Sequence, residues 1–168
     1  TDSLSGVVKT VYRVEGAEYA NKSGVYTEPL VFSSEGVYRV YYSAEDKVGN
    51  IEIEKQLAVR VDLSSPAVTA AALPPANAYG WNKTPLTAVF AGTDSVSGIF
   101  YCTPAALIET EGSNRVVSGY CTDYAGWSSA KTLTVSIDTT APTISHVQSP
   151  APNAAGWNNT SLGIVFTG

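Results

Sequence analysis

Apolar residues recur at every second position in short runs along this chain, and no stretch sustains a 3.6-residue period. Leu86, Ala88 and Phe90 share one face of such a run, and Leu162, Ile164 and Phe166 repeat it. Leu57, Val59 and Val61 alternate in the same way, as do Leu133, Val135 and Ile137. A strand over 37–44 turns Tyr38, Val40 and Tyr42 inward and Tyr41 outward, and its counterpart carries Val117, Gly119 and Cys121. A strand over 7–13 sets Val8, Thr10 and Tyr12 on one side, matched over 99–103 by Phe100 and Cys102. Weaker strands are expected near 25–32 and 105–109. Clusters of Gly, Pro, Asn and Asp punctuate the runs. Strands at this spacing, about seven per repeat unit, predict an all-β protein of antiparallel sandwiches.

The runs belong to an internal repeat. NAYGWNKTPLTAVFAG (77–92) returns as NAAGWNNTSLGIVFTG (153–168), and VDLSSPAV (61–68) as IDTTAPTI (137–144), both displaced by 76 residues. TDSLSGV (1–7) reappears as TDSVSGI (93–99), and EDKVGN (45–50) corresponds to TDYAGW (122–127) after small insertions. The chain therefore holds two copies of one unit, 1–92 and 93–168. Gly168 is the counterpart of Gly92, which Thr93-Asp94-Ser95 follows, the equivalent of Thr1-Asp2-Ser3. The sequence closes on itself head to tail.

Composition narrows the function classes. Of 168 residues, 44% are hydrophobic and only 15% charged, with 10 Tyr and 3 Trp, which excludes a disordered acidic tail. Ten basic residues against 15 acidic ones leave a net charge of −5 and no electrostatic footprint for nucleic acid. No apolar run approaches the roughly 18–20 residues that span a bilayer as a helix, so no membrane insertion is expected in this segment. Lacking an initiator Met and a signal peptide, the sequence reads as a processed or excerpted piece of a longer product. One His, His146, and two Cys leave few parts for catalysis. Nucleophile–base pairs, paired catalytic carboxylates and phosphate loops are not found, so no enzyme is expected.

The spaced motifs GWNKTPLTAVFAGTDSVSG (80–98), EG (111–112), TDYAG (122–126), LTVSID (133–138) and AP (141–142) resemble the tandem bacterial immunoglobulin-like repeats of secreted and cell-surface proteins. The resemblance covers nearly the whole chain. It departs where the Asn of DKVGN, Asn50, is replaced by Trp127 in DYAGW, and in an insertion around 13–30. It implies immunoglobulin-like sandwiches in an extracellular or cell-surface location.

On that frame, 63–138 is a complete sandwich. Residues 1–62 hold only the later strands of one, and 139–168 supply the first two strands of the next. A remnant sheet with an open apolar face and a lone hairpin are each marginal in water. Strand complementation by 143–168 of a neighbouring copy would complete 1–62 and give a head-to-tail homopolymer. A continuous array, of which the chain is one period, would do the same. Fold-back of 143–168 onto 1–62 and ends that fall there by accident are the alternatives. Leu162, Ile164, Phe166 and Trp157 are the expected interface residues of strand donation.

Cys102 and Cys121 occupy matched inward positions on facing strands, where the first unit has the small residues Thr10 and Ala44. A cross-sheet disulfide is expected, contributing about 3 kcal/mol by chain entropy, in an oxidising compartment; buried free thiols are the alternative. No cofactor is required. Asp2, Asp46, Asp62, Asp94, Asp123 and Asp138 recur at strand ends, where calcium could bridge interdomain junctions, although Asx-turns explain such aspartates without an ion. Trp81 and Trp157 follow Gly in equivalent loops and read as plugs of a sandwich end or of the domain junction, or else as platforms that stack a sugar. N-x-S/T sequons fall at Asn21, Asn82, Asn158 and Asn159. The expected function is a non-enzymatic extracellular structural protein forming a surface filament or stalk; an adhesin or carbohydrate-binding accessory module of a secreted protein, contacting surface glycans, is the alternative.

Overall fold

The alternating runs do become strands in a computed structural model that describes residues 3–16 and 22–168. In chain order these are β1 (Val7–Glu15), β2 (Lys22–Val25), β3 (Gly36–Asp46), β4 (Lys55–Val61), β5 (Ala67–Leu73) and β6 (Leu86–Thr93). They continue as β7 (Ile99–Cys102), β8 (Ala106–Ile108), β9 (Gly112–Asp123), β10 (Ser128–Ile137), β11 (Ser145–Ser149) and β12 (Gly163–Thr167). Every strand pairing is antiparallel, and no helix occurs among the described residues. The protein is all-β.

The first sheet has the order β2-β1-β3-β4. Its outer face is polar: the Arg13 guanidinium lies 3.5 Å above the Tyr41 ring and hydrogen-bonds Glu54 and Glu15. Its inner face buries Val14, Tyr38 and Val40, with Tyr12, Val59 and Val61 partly covered around them. Of the strand expected near 25–32 only Val25 lies in a strand, as the last residue of β2, which pairs with β1. Beyond it the Tyr26 amide still donates to the Thr10 carbonyl at 2.7 Å, and the segment then folds over one end of the inner face. There Leu30 and Phe32 join the core, Phe32 4.9 Å from the Tyr38 ring, and the Tyr38 hydroxyl donates to the Ser34 carbonyl at 2.8 Å. The other end stays open. Tyr42, expected inward and buried, is more than a third exposed beside an apolar groove of about 220 Å³ that Thr10, Tyr12, Tyr26, Leu30 and Val40 complete.

Two three-stranded sheets, β5-β6-β8 and β10-β9-β7, make up the sandwich over 63–138, the second structural unit of the chain, the first sheet being the first structural unit. They share one core of Leu86, Ala88, Phe90, Ile108, Val135 and Ile137, so each sheet hides the apolar face of the other. These are six strands rather than the expected seven. The pairing of β7 with β9 shifts register between Ile99 and Tyr101, and that of β1 with β3 shifts between Val7 and Lys9. These shifts sit at equivalent repeat positions and leave Val8 and Phe100, both expected inward, exposed; Phe100 lies edge-on to Tyr124 instead. A further bulge in β9, with Asn114 at φ 52°, absorbs the extra residue of the second unit. Asn tolerates that left-handed backbone better than most side chains.

β11 and β12 pair only with each other. Among the described residues they do not fold back onto the first sheet.

Candidate functional site

Cys102 and Cys121 stand directly opposite each other in the β7–β9 register and form a disulfide. Thr10 and Ala44 face each other at the same step of the β1–β3 ladder. The local packing explains why this step takes small groups: a Cβ added at Gly92 on the facing sheet would lie 2.8 Å from the Cys121 sulfur.

The sharpest contrast lies between the two repeated hairpins. In β6, Leu86 is 1% and Phe90 5% exposed, with Ala88 fully buried between them. Their equivalents Leu162, at 44%, and Phe166, at 66%, stand in solvent with Ile164. The local structure is nevertheless the same. Asn77 Oδ1 accepts the Tyr79 and Trp81 amides at 3.0 Å each, and Asn153 Oδ1 accepts those of Ala155 and Trp157 at the same distances. An equivalent turn thus carries an equivalent apolar stripe, with Ile164 in place of Ala88, buried once and bare once. The missing element is the second layer.

Within those loops the tryptophans do not plug a sandwich end. Trp81 stays more than a third exposed beside Pro74 and Pro75, and Trp157 is 74% exposed. The plug is Asn82. Its backbone bridges to β10, donating to the Ser136 carbonyl at 2.9 Å and accepting from the Asp138 amide at 3.0 Å. Its side-chain amide donates to the Pro74 and Pro75 carbonyls. A glycan on that amide would replace one of its two hydrogens and so break at least one of these bonds in a buried site. Asn158 keeps the bond to the equivalent Pro150 carbonyl and accepts from Gln148, whereas Asn159 is exposed; Asn21 lies outside the described residues. His146 faces Phe166 across the hairpin, away from any cluster of polar groups.

Two glutamates that the strand pattern did not single out pin the linkers. Glu35 accepts the Leu63 amide at 3.2 Å, and Glu111 the Thr139 amide at 2.8 Å, again 76 residues on. Asp62 and Asp138 close matching Asx-turns onto Ser64 and Thr140. Hydrogen bonds from the Thr139 hydroxyl and amide, with the Thr140 hydroxyl adding, hold the Glu111 carboxyl below the usual carboxylate range. The 76-residue spacing carried this signal, because both glutamates precede a Gly at equivalent positions. β11–β12 is therefore tethered to the second unit as β5–β6 is to the first.

Of the recurring aspartates, Asp62, Asp94 and Asp123 converge where the two units meet. One carboxylate oxygen from each lies within 4.8 Å of the others. They come from the residue after β4, the residue after β6 and the end of β9. Asp94 Oδ1 accepts three amides, from Val96, Ser97 and Gly98, at 2.8–3.0 Å. Hydrogen bonding from Ser97, with Ser64 adding, holds the Asp62 carboxyl below its ordinary range. Trp127, which replaces the Asn of the other unit, donates its indole N–H to the Asp62 carbonyl at 3.1 Å and so stitches the junction. Asp46 and Asp138 take no part, and Asp2 lies outside the described residues.

No known protein family matches the chain, and no curated protein is similar to it. No helix among the described residues is long and apolar enough to cross a membrane.

Proposed function

We propose that this chain is a structural protein of the cell exterior, not an enzyme, whose immunoglobulin-like repeats join head to tail into a surface filament or stalk. The observation that carries this reading is the stripe Leu162, Ile164 and Phe166, bare in the hairpin although its copy is core in the second unit. Covering side chains of this size is worth about 1.5–3 kcal/mol each, and the first sheet offers the open apolar face that would cover them. The repeat also fixes the register. As β6 pairs with β8 through Leu86↔Ile108 and Ala88↔Ala106, β12 of an adjoining unit pairs with Phe32 and Leu30. Asn158 then bridges to Arg60 and Asp62, as Asn82 does to Ser136 and Asp138. The disulfide favours an oxidising, extracellular setting.

Sedimentation velocity of the 168-residue chain tests this reading. Concentration-dependent, open-ended association is expected, abolished by Ile164→Asp with Phe166→Asp and shortened by free 143–168 peptide acting as a cap. A chain that stays monomeric, or whose association ignores those changes, contradicts it.

A glycan-contacting role is the second reading, favoured by the exposed Trp81 indole beside Pro74 and Pro75. Saturable glycan binding that Trp81→Ala abolishes with the fold intact would support it.

A further inference from the structure

We propose that Asp62, Asp94 and Asp123 bind one calcium ion that clamps the first unit to the second. Calcium takes oxygen ligands at about 2.3–2.6 Å, so ligands on opposite sides of one ion stand roughly 5 Å apart. Three carboxylate oxygens mutually within 4.8 Å fit that sphere. All three donors are hard oxygens, and water entering from the adjoining cleft, lined by Asp62, Ser97 and Val61, completes the shell.

The cluster alone would not point to an ion; Asp123 does. It is 2% exposed, and its Oδ2 has no hydrogen-bond partner, although its Oδ1 accepts the Trp127 amide at 2.9 Å. A buried carboxylate oxygen left without a hydrogen-bond donor is unfavourable unless a cation meets it. The other unit shows how the repeat ordinarily satisfies this oxygen: at the equivalent Asp46, Oδ2 accepts the Asn50 side-chain amide at 2.7 Å. At Asp123 that Asn is replaced by Trp127, whose indole N–H is directed to the Asp62 carbonyl instead. The substitution removes the internal donor and, in the same step, draws Asp62 to the cluster. Among the described residues no basic side chain forms an ion pair with any of the three, although Arg60 lines the adjoining cleft with Asp62. The clamp lies within one chain and does not depend on how filaments assemble.

Calcium titration of the full-length 168-residue chain by calorimetry, with terbium luminescence sensitised by Trp127 as a second readout, tests the proposal. Binding of one ion per chain is expected, with a rise in melting temperature. Asp123→Asn and Asp94→Asn should each weaken binding roughly 10–100-fold or more, while Asp46→Asn leaves it unchanged. Circular dichroism establishes that the variants are folded, and Asp94→Asn serves if Asp123→Asn is not. No saturable calcium binding at millimolar concentration would overturn the proposal. Equal binding by the variants, or tighter binding of magnesium than of calcium, would overturn it as well.

Discussion

Phe90 packs its ring onto the bare backbone of Gly119: a Cβ built on that glycine would lie 2.4 Å from the ring. β6 and β9 belong to different sheets, so this contact sets how closely the two layers of the second unit approach. The equivalent of Gly119 in the first unit is Tyr42, and that of Phe90 is Phe166. An adjoining unit's Phe166 would therefore meet an aromatic ring at this step, with Tyr42 turned into the apolar groove it already lines.

Gly119→Ala should be among the most damaging small changes in the protein. Phe90 is held on both sides and cannot retreat without opening the core, so overpacking should cost about 1–3 kcal/mol. Urea unfolding checks this. A variant as stable as the parent would show that the two sheets can separate freely.

Removing the disulfide should weaken the second unit without changing its fold. Cys102→Thr with Cys121→Ala installs the pair that the first unit uses at this step, Thr10 and Ala44. The loss expected is about 2–4 kcal/mol, chiefly through a freer unfolded chain. Thermal denaturation under reducing and oxidising conditions measures it: reduction should lower the parent's melting temperature and leave the variant's alone.

The linker at 139–140 should loosen in acid. The Glu111 carboxyl is held below the ordinary range by its threonine donors, so its folded value is depressed. Its contribution is then fully present above the ordinary glutamate range and is lost as pH falls through the lowered value. Amide exchange at Thr139 reads this directly: protection should fall on acidification in the parent and be low at every pH in Glu111→Ala, which has no side-chain acceptor. Protection independent of both would remove Glu111 from the linker.

Much of this was legible in the residues. The facing Cys102 and Cys121 could be found because the other unit places small Thr10 and Ala44 at the same step, and the strand faces followed from period two. The bulges were not legible. Val8 and Phe100 fit an unbroken alternation, and only pairing with the partner strand reveals the register shift that turns them out. Residues 26–32 have strand-like composition, but Leu30 and Phe32 pack onto the first core, Phe32 against the Tyr38 ring, a tertiary contact that sequence pattern does not report. The aspartates could be read as recurrent, yet which three meet depends on Trp127 reaching Asp62, a contact 65 residues long-range. Indole exposure misled in the same way: the Trp81 loop is anchored by its neighbour Asn82, whose buried hydrogen bonds have no signature in hydropathy.

Pairing between β12 of one unit and residues 30–32 of the next is tested most directly by a cysteine cross-link. Thr87 and Leu107 face each other across β6 and β8, which makes Gly163 and Val31 the corresponding pair. Mixing Val31→Cys chains with Gly163→Cys chains under mild oxidation should give a covalent dimer joined at those two residues, and a chain carrying both changes should give a ladder of multiples. Absence of the cross-link, or a double variant that closes within one chain at monomer mass, would contradict the account.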